Sequence, residues 1–233
     1  MKYLKYLWRQ IRITRSFPDK LNHNYHELTI PEKALYLVFI RPFFSPTKRF
    51  FFDGSLGLLG QMYIEERRAI YEAIVKYQPK RCFEIGTYTG GGSTFFIASA
   101  FAKLGKGQLI TMESDEHLYV RATNYYRKNL PKLNSFIKFI HNSKTATFDE
   151  YFHQDNYADC VFFDGAEDQK ETIEQYHYFL PHFRPGSIII MHDWNTEKMK
   201  QLRPIIVNDH QWQIVKELKP PQSVGLAIAK RTL

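Results

Sequence analysis

A short apolar run that breaks into a glycine-rich turn is the feature that most restricts the fold of this chain. The run is Phe83-Glu84-Ile85, the turn continues from Gly86 to Gly92, and an apolar helical stretch begins at Ser93. Such a turn lets backbone N–H groups approach a ligand closely, because glycine has no Cβ and tolerates positive φ. The unit predicts a strand followed by a helix, with a ligand at the carboxyl end of the strand.

The spacing of these glycines argues against a dinucleotide site. A dinucleotide fingerprint, G-x-G-x-x-G, has its second glycine two residues after the first, and Tyr88 stands at that position here. A pyrophosphate would meet the side chain of Tyr88. A nicotinamide-dependent oxidoreductase is therefore disfavoured.

Downstream of Arg81, predicted strands and helices alternate with short links, which is typical of a mostly parallel sheet covered on both faces. The predicted strands are 81–85, 108–112, 137–141, 159–163, 187–191, 211–218 and 224–230. The predicted helices between them are 93–104, 116–130, 145–152, 169–183 and 196–208, and a further predicted helix, 63–77, precedes the first strand. Residues 219–223 are too few for a crossover, so the last two strands should form an antiparallel hairpin. The expected fold is a doubly wound, seven-stranded α/β sheet with that hairpin at its C-terminal end.

The N-terminal segment differs in charge from the rest of the chain. Residues 1–60 contain ten basic and four acidic residues, and so hold most of the net charge of +8. We expect 1–60 to be a basic, aromatic extension and 61–233 to be one α/β domain. Residues 31–60, rich in Phe, Pro and Gly, would either cover the ligand as a lid or pack against the core.

Residues 1–17 fit a basic amphipathic helix, with an apolar face made by Leu4, Leu7, Trp8 and Ile11. Such a helix can lie on an anionic membrane. Packing on the chain's own core, packing on a partner subunit of an oligomer, and disorder stay open as alternatives. Nucleic acid is not an expected partner, because the basic charge lies outside the core and no recognised module accompanies it.

The cysteine content and the hydropathy bear on location. Cys82 and Cys160 each open a predicted strand, which favours reduced, packed thiols in a cytoplasmic protein. No apolar run approaches the roughly 20 residues that span a bilayer. A cytoplasmic location is expected, with peripheral membrane contact through 1–17 as a variant of it.

Acidic and polar residues follow several predicted strands. Glu113 ends the second strand, where a carboxylate can accept hydrogen bonds from the hydroxyls of a ribose. Asp164 follows the fourth strand, and His192 and Asp193 follow the fifth. Two carboxylates and an imidazole at one sheet edge suit Mg²⁺ or a similar divalent ion. The alternatives are a helix cap for Asp164 and, for His192, either a buried structural histidine or a general base.

This set of residues resembles class I S-adenosylmethionine-dependent methyltransferases, whose E/D-x-G-x-x-x-G turn wraps the methionine part of the cofactor. Glu84, Gly86 and Gly90 match that turn. More narrowly, residues 163–165 and 184–190 resemble the catechol-type and macrolide-sugar O-methyltransferases, in which the first of these segments contains a metal-binding aspartate. The resemblance implies a Rossmann-like methyltransferase fold.

The resemblance also implies a cofactor site and an activity. The implied S-adenosylmethionine-binding residues are Glu84, Gly86, Thr87, Tyr88, Gly90, Gly92, Ser93, Glu113, Asn142, Ser143 and Asp164. Asn142 and Ser143 lie at a bend that contacts adenine in related enzymes, although a helix cap by Ser143 explains them equally well. The implied reaction is O-methylation of a small-molecule or sugar-type acceptor.

The sequence departs from the catechol-type pattern at two places. His192-Asp193 replaces Asp-Asn, and Glu167 stands where those enzymes have a lysine base. Asp164, His192 and Asp193 are the predicted catalytic residues and the predicted ligands of a divalent metal, with His192 or Glu167 as the base if no metal is used. A catalytically inert cofactor-binding or scaffolding protein is the alternative function.

Overall fold

The computed structural model describes residues 29–40, 42, 62–152, 157–219 and 223–233. The chain divides into two compact units, residues 1–58 and 59–233. In the first unit, helix α1 (Ile30–Leu35) continues into a π-helical turn (Tyr36–Ile40). The predicted membrane-binding helix at 1–17 and most of the predicted extension lie outside the described residues and stay predictions.

The second unit alternates helices and strands in the predicted order. Its first half contains α2 (Ile64–Tyr77), β1 (Arg81–Ile85), α3 (Ser93–Leu104), β2 (Gln108–Glu113), α4 (Glu116–Asn129), α5 (Pro131–Asn134) and β3 (Ile137–His141). A 3₁₀ helix (Thr145–Tyr151) follows, then β4 (Cys160–Phe163), α6 (Gln169–Phe179), a 3₁₀ turn (Leu180–His182) and β5 (Ile188–His192). The chain ends with a 3₁₀ turn (Glu197–Met199), α7 (Leu202–Asn208), β6 (Trp212–Leu218) and β7 (Leu226–Arg231).

The seven strands form one sheet in the order β3-β2-β1-β4-β5-β7-β6. Strand β7 is antiparallel to both of its neighbours, β5 and β6. The other neighbouring pairs are parallel. This arrangement confirms the predicted doubly wound, mostly parallel sheet and its C-terminal hairpin.

The middle of the sheet is buried on both faces. Every residue of β4 and β5 is buried, and so are the last four residues of β1. Continuous burial of this kind is expected for parallel strands that are covered by helices on both sides. In the register of β1 and β4, Cys82 is paired with Cys160, and their free thiols lie 3.0 Å apart at Sγ.

Three helices differ from the prediction. The predicted helix 196–208 is divided into a 3₁₀ turn and α7, because Pro204 lacks an N–H and is accommodated only in the first turn of a helix. The predicted helix 169–183 ends at Phe179 and continues as a 3₁₀ turn, because Pro181 has no N–H with which to extend the α-helical hydrogen bonds. Residues 145–151 wind as a 3₁₀ helix, since Thr145 and Thr147 are β-branched and lower the α-helix propensity.

Two glycines bring the ends of β1 and β4 together where the strand order reverses. A Cβ atom on Gly86 would lie 2.9 Å from the Cα of Gly165, and a Cβ on Gly165 would lie 2.7 Å from the backbone carbon of Ile85. Only glycine fits at both positions. In an open α/β sheet, ligands bind in the crevice at this point. None of the helices in the described part of the chain is long and apolar enough to cross a membrane.

Candidate functional site

An open cleft of about 630 Å³ lies at the carboxyl ends of the parallel strands. The predicted site residues that line it are Gly86, Thr87, Tyr88, Gly92, Ser93, Glu113, Asn142, Ser143, Asp164, His192 and Asp193. Glu84 and Gly90 are not among the lining residues. The structure therefore brings together residues that lie up to 107 positions apart in the sequence, from Gly86 to Asp193.

The turn after β1 is shaped by residues with positive φ. Gly86 has φ of 93° and Gly90 has φ of 77°, and Tyr88 has φ of 53° although it carries a side chain. An aromatic residue in the left-handed region costs about 1–2 kcal/mol. At Tyr88 this conformation accompanies a hydrogen bond of 2.6 Å from its N–H to Oε2 of Glu113.

Glu113 is held in place by two backbone amides. Besides the bond from Tyr88, its Oε1 accepts a hydrogen bond of 3.0 Å from the N–H of Asp115. The residue is 7% exposed and lines the cleft. Each carboxylate oxygen can accept more than one hydrogen bond. Glu113 is thus a fixed, negatively charged acceptor whose remaining lone pairs are available to a ligand.

Glu84 lies buried in β1, behind the turn. Its Oε2 accepts hydrogen bonds from the hydroxyls of Thr94 at 2.7 Å and Thr111 at 2.6 Å. Burial raises the pKa of Glu84 to about 7, against the opposing effect of these hydroxyl donors. Because Glu84 does not line the cleft, its carboxyl group links β1, β2 and α3 beneath the predicted ligand site.

Tyr126 supports the turn from α4, and sequence reasoning did not find it. Its hydroxyl donates a hydrogen bond of 2.6 Å to the carbonyl of Gly90. A Cβ on Gly90 would lie 2.8 Å from Cε2 of the same ring. Gly90 therefore serves the packing of the turn rather than the lining of the cleft, and a lone aromatic residue in a helix gives no sequence signal for such a role.

The bend after β3 is closed by Asn142. Its N–H donates to the carbonyl of Glu113 at 3.0 Å, and its Oδ1 accepts from the N–H groups of Ser143 at 2.7 Å and Lys144 at 3.0 Å. The following 3₁₀ helix has Lys144 at its N-cap, without a side-chain cap. The helix cap considered for Ser143 is therefore not made by its side chain.

Five charged residues meet at the ends of β4 and β5. Nδ1 of His192 lies 3.1 Å from Oδ1 of Asp164 and 3.5 Å from Oδ1 of Asp193. Nε2 of His192 lies 3.2 Å from Oε2 of Glu66, which is fully buried in α2. Lys198 Nζ lies 3.2 Å from Oδ1 of Asp164 and 3.2 Å from Oδ2 of Asp193. The two cations and three carboxylates of this set are here called the charged cluster.

His192 is a cation within the charged cluster. Burial alone lowers the pKa of His192, but hydrogen bonds and charges from Asp164 and Glu66 outweigh it and raise the pKa to about 10. In turn, the neighbouring imidazolium and the Lys198 ammonium lower the pKa of Asp164 despite its burial. A protonated imidazole has no lone pair for a proton or a metal. His192 is therefore unsuited to the role of general base near neutral pH.

The donor atoms predicted to bind a metal do converge. One ligand atom each from Asp164, His192 and Asp193 lies within 4.8 Å of the others. However, both nitrogens of His192 face carboxylates, and the Lys198 ammonium already contacts both aspartates. A divalent ion would have to displace Lys198 and compete with the proton of His192. The donor set does not suit a divalent ion while Lys198 is in place.

Sequence reasoning also missed Glu66, Ser223 and Lys198. The Glu66 carboxylate accepts a hydrogen bond of 2.8 Å from the N–H of Tyr63 and another from the hydroxyl of Ser223. The contacts of Glu66 with Ser223 and His192 join residues 157 and 126 positions apart, and such contacts leave no local pattern. The sequence did contain a signal for Lys198. Glu167 stands where catechol-type enzymes have a lysine, and Lys198 is a lysine that follows His192-Asp193 closely.

The comparison with known families indicates what this part of the chain is similar to. Residues 83–194 match a family model described as a methyltransferase domain. This stretch, just under half of the chain, is similar to a methyltransferase domain. The match begins in β1 and ends just after β5, so it includes the glycine turn, Glu113 and both aspartates of the charged cluster. No curated protein sequence matches the chain significantly.

Solved structures share the fold of this domain at low sequence identity. A Klebsiella pneumoniae protein to which O-methyltransferase activity is ascribed has a TM-score of 0.63 and 18% identity, over 86% of this chain and 95% of that one. The O-methyltransferase TomG from Streptomyces achromogenes, involved in tomaymycin synthesis and solved in complex with SAM, has a TM-score of 0.60 and 12% identity over 99% and 95%. An O-methyltransferase from Bacillus cereus in complex with SAH has a TM-score of 0.58 and 14% identity over 98% and 96%. These likenesses show the class I methyltransferase fold.

Proposed function

We propose that this chain is an S-adenosylmethionine-dependent O-methyltransferase that acts on a small-molecule or sugar-type acceptor. The observation that carries the proposal is the Glu113 carboxylate, fixed by two backbone amides at the edge of a cleft beside a glycine turn. The methyltransferase match and the structural neighbours solved with SAM or SAH support it.

In this proposal, different residues of the cleft bind different parts of the cofactor. Glu113 accepts hydrogen bonds from the ribose hydroxyls, which a fixed carboxylate does well because charged acceptors make the stronger hydrogen bonds. Asn142 and Ser143 border the adenine, and Gly86, Thr87 and Tyr88 follow the methionine part. Glu84 and Gly90 act indirectly, by holding the turn in shape.

The chemistry asks little of the protein beyond position and proton removal. When bound, the cofactor supplies a methyl group that is already activated by its attachment to a positively charged sulfur. The cleft would have to hold the acceptor hydroxyl in line with that methyl group and provide a group that takes up the hydroxyl proton.

The carboxylates of Asp164 and Asp193 are the groups with free lone pairs at which that proton can be received, and the neighbouring cations that lower the pKa of Asp164 make it the base that holds the proton only briefly. Both line the cleft, with side chains 28% and 27% exposed. His192 cannot accept it near neutral pH, because the carboxylates of Asp164 and Glu66 outweigh the effect of burial and raise the pKa of its ring to about 10. The imidazolium instead fixes the orientation of the two aspartates.

A cytoplasmic location is part of the proposal. The free, buried thiols of Cys82 and Cys160 support it, since disulfides are rare in that compartment. In this proposal the acceptor is therefore a compound of the cytoplasm.

Turnover measurement tests the proposed function. The purified chain is incubated with S-adenosylmethionine and a panel of phenols, hydroxylated small molecules and glycosides, and release of S-adenosylhomocysteine is measured. We expect release with at least one hydroxyl acceptor, and loss of it in the Asp164→Asn variant. Cofactor binding without turnover on any acceptor would favour the inert cofactor-binding alternative, and absence of cofactor binding would remove both.

A further inference from the structure

The cation at the acceptor end of the cleft comes from the chain itself. We propose that Lys198 supplies the positive charge that a divalent ion would otherwise bring to Asp164 and Asp193, so that methyl transfer needs no metal. The inference rests on the proposed function, and it assigns to Lys198 a positioning role that acts through the two aspartates.

The hydrogen bonds of Lys198 are those of a fixed cation. Its Nζ donates to the carbonyl of Asp164 at 2.6 Å, to Oδ1 of Asp164 at 3.2 Å and to Oδ2 of Asp193 at 3.2 Å. An ammonium group has three N–H donors, and these three acceptors use all of them. Lys198 therefore bridges the ends of β4 and β5 as a metal ion bridges its ligands.

The backbone around Lys198 is built to hold it there. The N–H and hydroxyl of Thr196 both donate to the carbonyl of Asp193, at 2.8 Å and 2.9 Å. Met199 is fully buried and anchors the 3₁₀ turn that contains the lysine. The Lys198 side chain is 13% exposed, whereas that of nearby Lys200 is 66% exposed and pairs with Glu197.

Charge balance opposes a metal in the same place. Lys198 Nζ lies 3.2 Å from a carboxylate oxygen of Asp164 and 3.2 Å from one of Asp193, so an ammonium group already occupies the space between the two aspartates. A divalent ion added without loss of Lys198 would stand next to an ammonium group, and two like charges at such short distances repel strongly in a partly buried site. Removal of the lysine charge leaves the carboxylates of Asp164 and Asp193 without the ammonium group that bridges them, which favours the binding of another cation.

The arrangement also bears on the class of acceptor. Lys198 engages Oδ1 of Asp164 and Oδ2 of Asp193, and both aspartates line the cleft. The site thus presents hydrogen-bond acceptors rather than an ion with open coordination positions. It suits an acceptor with a single hydroxyl group and does not require the adjacent pair of oxygens that chelation to a metal needs.

Manganese binding tests the proposal without knowledge of the acceptor. Loss of the Mn²⁺ electron paramagnetic resonance signal reports bound ion, measured with and without S-adenosylhomocysteine. We expect the wild-type chain to leave the signal unchanged, and Lys198→Ala to bind one Mn²⁺ at least about tenfold more tightly, because a positive charge has been removed from two aspartates. Lys198→Arg, which keeps the charge, and Lys200→Ala, a matched surface change, should behave as wild type.

Further variants test whether the gain of Mn²⁺ binding depends on the aspartates and on the removed charge. Adding Asp193→Asn to Lys198→Ala should abolish the new Mn²⁺ binding. If circular dichroism shows that Lys198→Ala is unfolded, Lys198→Gln removes the charge and takes its place. Tight Mn²⁺ binding by the wild-type chain, or no gain in the folded charge-removing variant, would overturn the proposal. Calorimetry with S-adenosylhomocysteine alone tests the proposed function, so the two can fail separately.

Discussion

The backbone N–H of Tyr88 donates a hydrogen bond of 2.6 Å to Oε2 of Glu113, and this bond ties the glycine turn after β1 to the end of β2. The positive φ of Tyr88 is part of that geometry. Tyr88, which stands where a dinucleotide motif has its second glycine, therefore has a structural role. It orients a carboxylate, whereas the dinucleotide motif would use a glycine to admit a pyrophosphate.

Removal of the Glu113 carboxylate should weaken cofactor binding. We expect Glu113→Ala to lower the affinity for S-adenosylmethionine about 10- to 100-fold, since hydrogen bonds to charged groups contribute about 1.5–3 kcal/mol. Equilibrium dialysis with radiolabelled cofactor measures the change. Glu174→Ala, at an exposed position on α6, is the control, and equal affinities in the two variants would exclude Glu113 from the site.

The close approach of β1 and β4 predicts that alanine substitution costs more stability at Gly86 than at Gly186, two glycines of similar φ. Gly86 has φ of 93° with backbone atoms in its path, while Gly186 has φ of 94° with nothing within 4 Å. We expect Gly186→Ala to cost about 1–2 kcal/mol of unfolding free energy from conformation alone, and Gly86→Ala to cost at least about 2 kcal/mol more because of the clash. Urea denaturation measures both. Equal losses would contradict the observed contact with Gly165.

The buried carboxyl of Glu84 predicts a pH dependence of stability. Glu84 ionises near pH 4.5 in the unfolded chain and near 7 in the folded one. The folded state holds the proton more tightly, so this group lowers the free energy of unfolding as pH rises from about 4.5 through 7, with little further change above.

Glu84→Gln should remove that decline. At pH 8 we expect the variant without cofactor to be more stable than wild type, by up to about 3 kcal/mol, because a shift of one pKa unit corresponds to about 1.4 kcal/mol. Urea denaturation at pH 5 and pH 8 measures the difference. Parallel pH profiles for the two proteins would show that Glu84 is not the group responsible.

The hydroxyl of Tyr126 should matter to the turn more than to the fold. Tyr126→Phe keeps the ring against Gly90 and removes only the hydrogen bond to its carbonyl. We expect a loss of about 1 kcal/mol of stability, together with weaker cofactor binding, measured by thermal unfolding and dialysis. Tyr125→Phe, one position along the same helix and absent from the cleft lining, serves as the control. Equal stability and equal cofactor affinity in the two variants would show that the Tyr126 hydroxyl does not support the turn.

The sheet was predictable because its determinants are local. Apolar runs such as those of β4 and β5 mark buried parallel strands, and the short 219–223 link requires a hairpin. The same holds for Glu113, whose place at a strand end follows from the alternation of elements.

The charged cluster was only half predictable. Asp164, His192 and Asp193 follow strands, so their convergence follows from the topology. The positions of the partners that set the chemistry of these three residues do not follow from the topology. Glu66 comes from a helix 126 positions before His192, and Lys198 reaches the aspartates through a 3₁₀ turn that the pattern placed within a longer helix. The protonation of His192 depends on those partners, which is why the histidine fits a general base in the sequence and a fixed cation in the structure.

Calorimetric titration of the purified wild-type chain with S-adenosylhomocysteine tests the central claim most directly. The account predicts binding of one molecule per chain, with the glycine-turn and Glu113 amide signals shifting in a parallel NMR titration. No heat at saturating ligand, or binding that leaves those signals unmoved, would contradict a nucleoside site in this cleft.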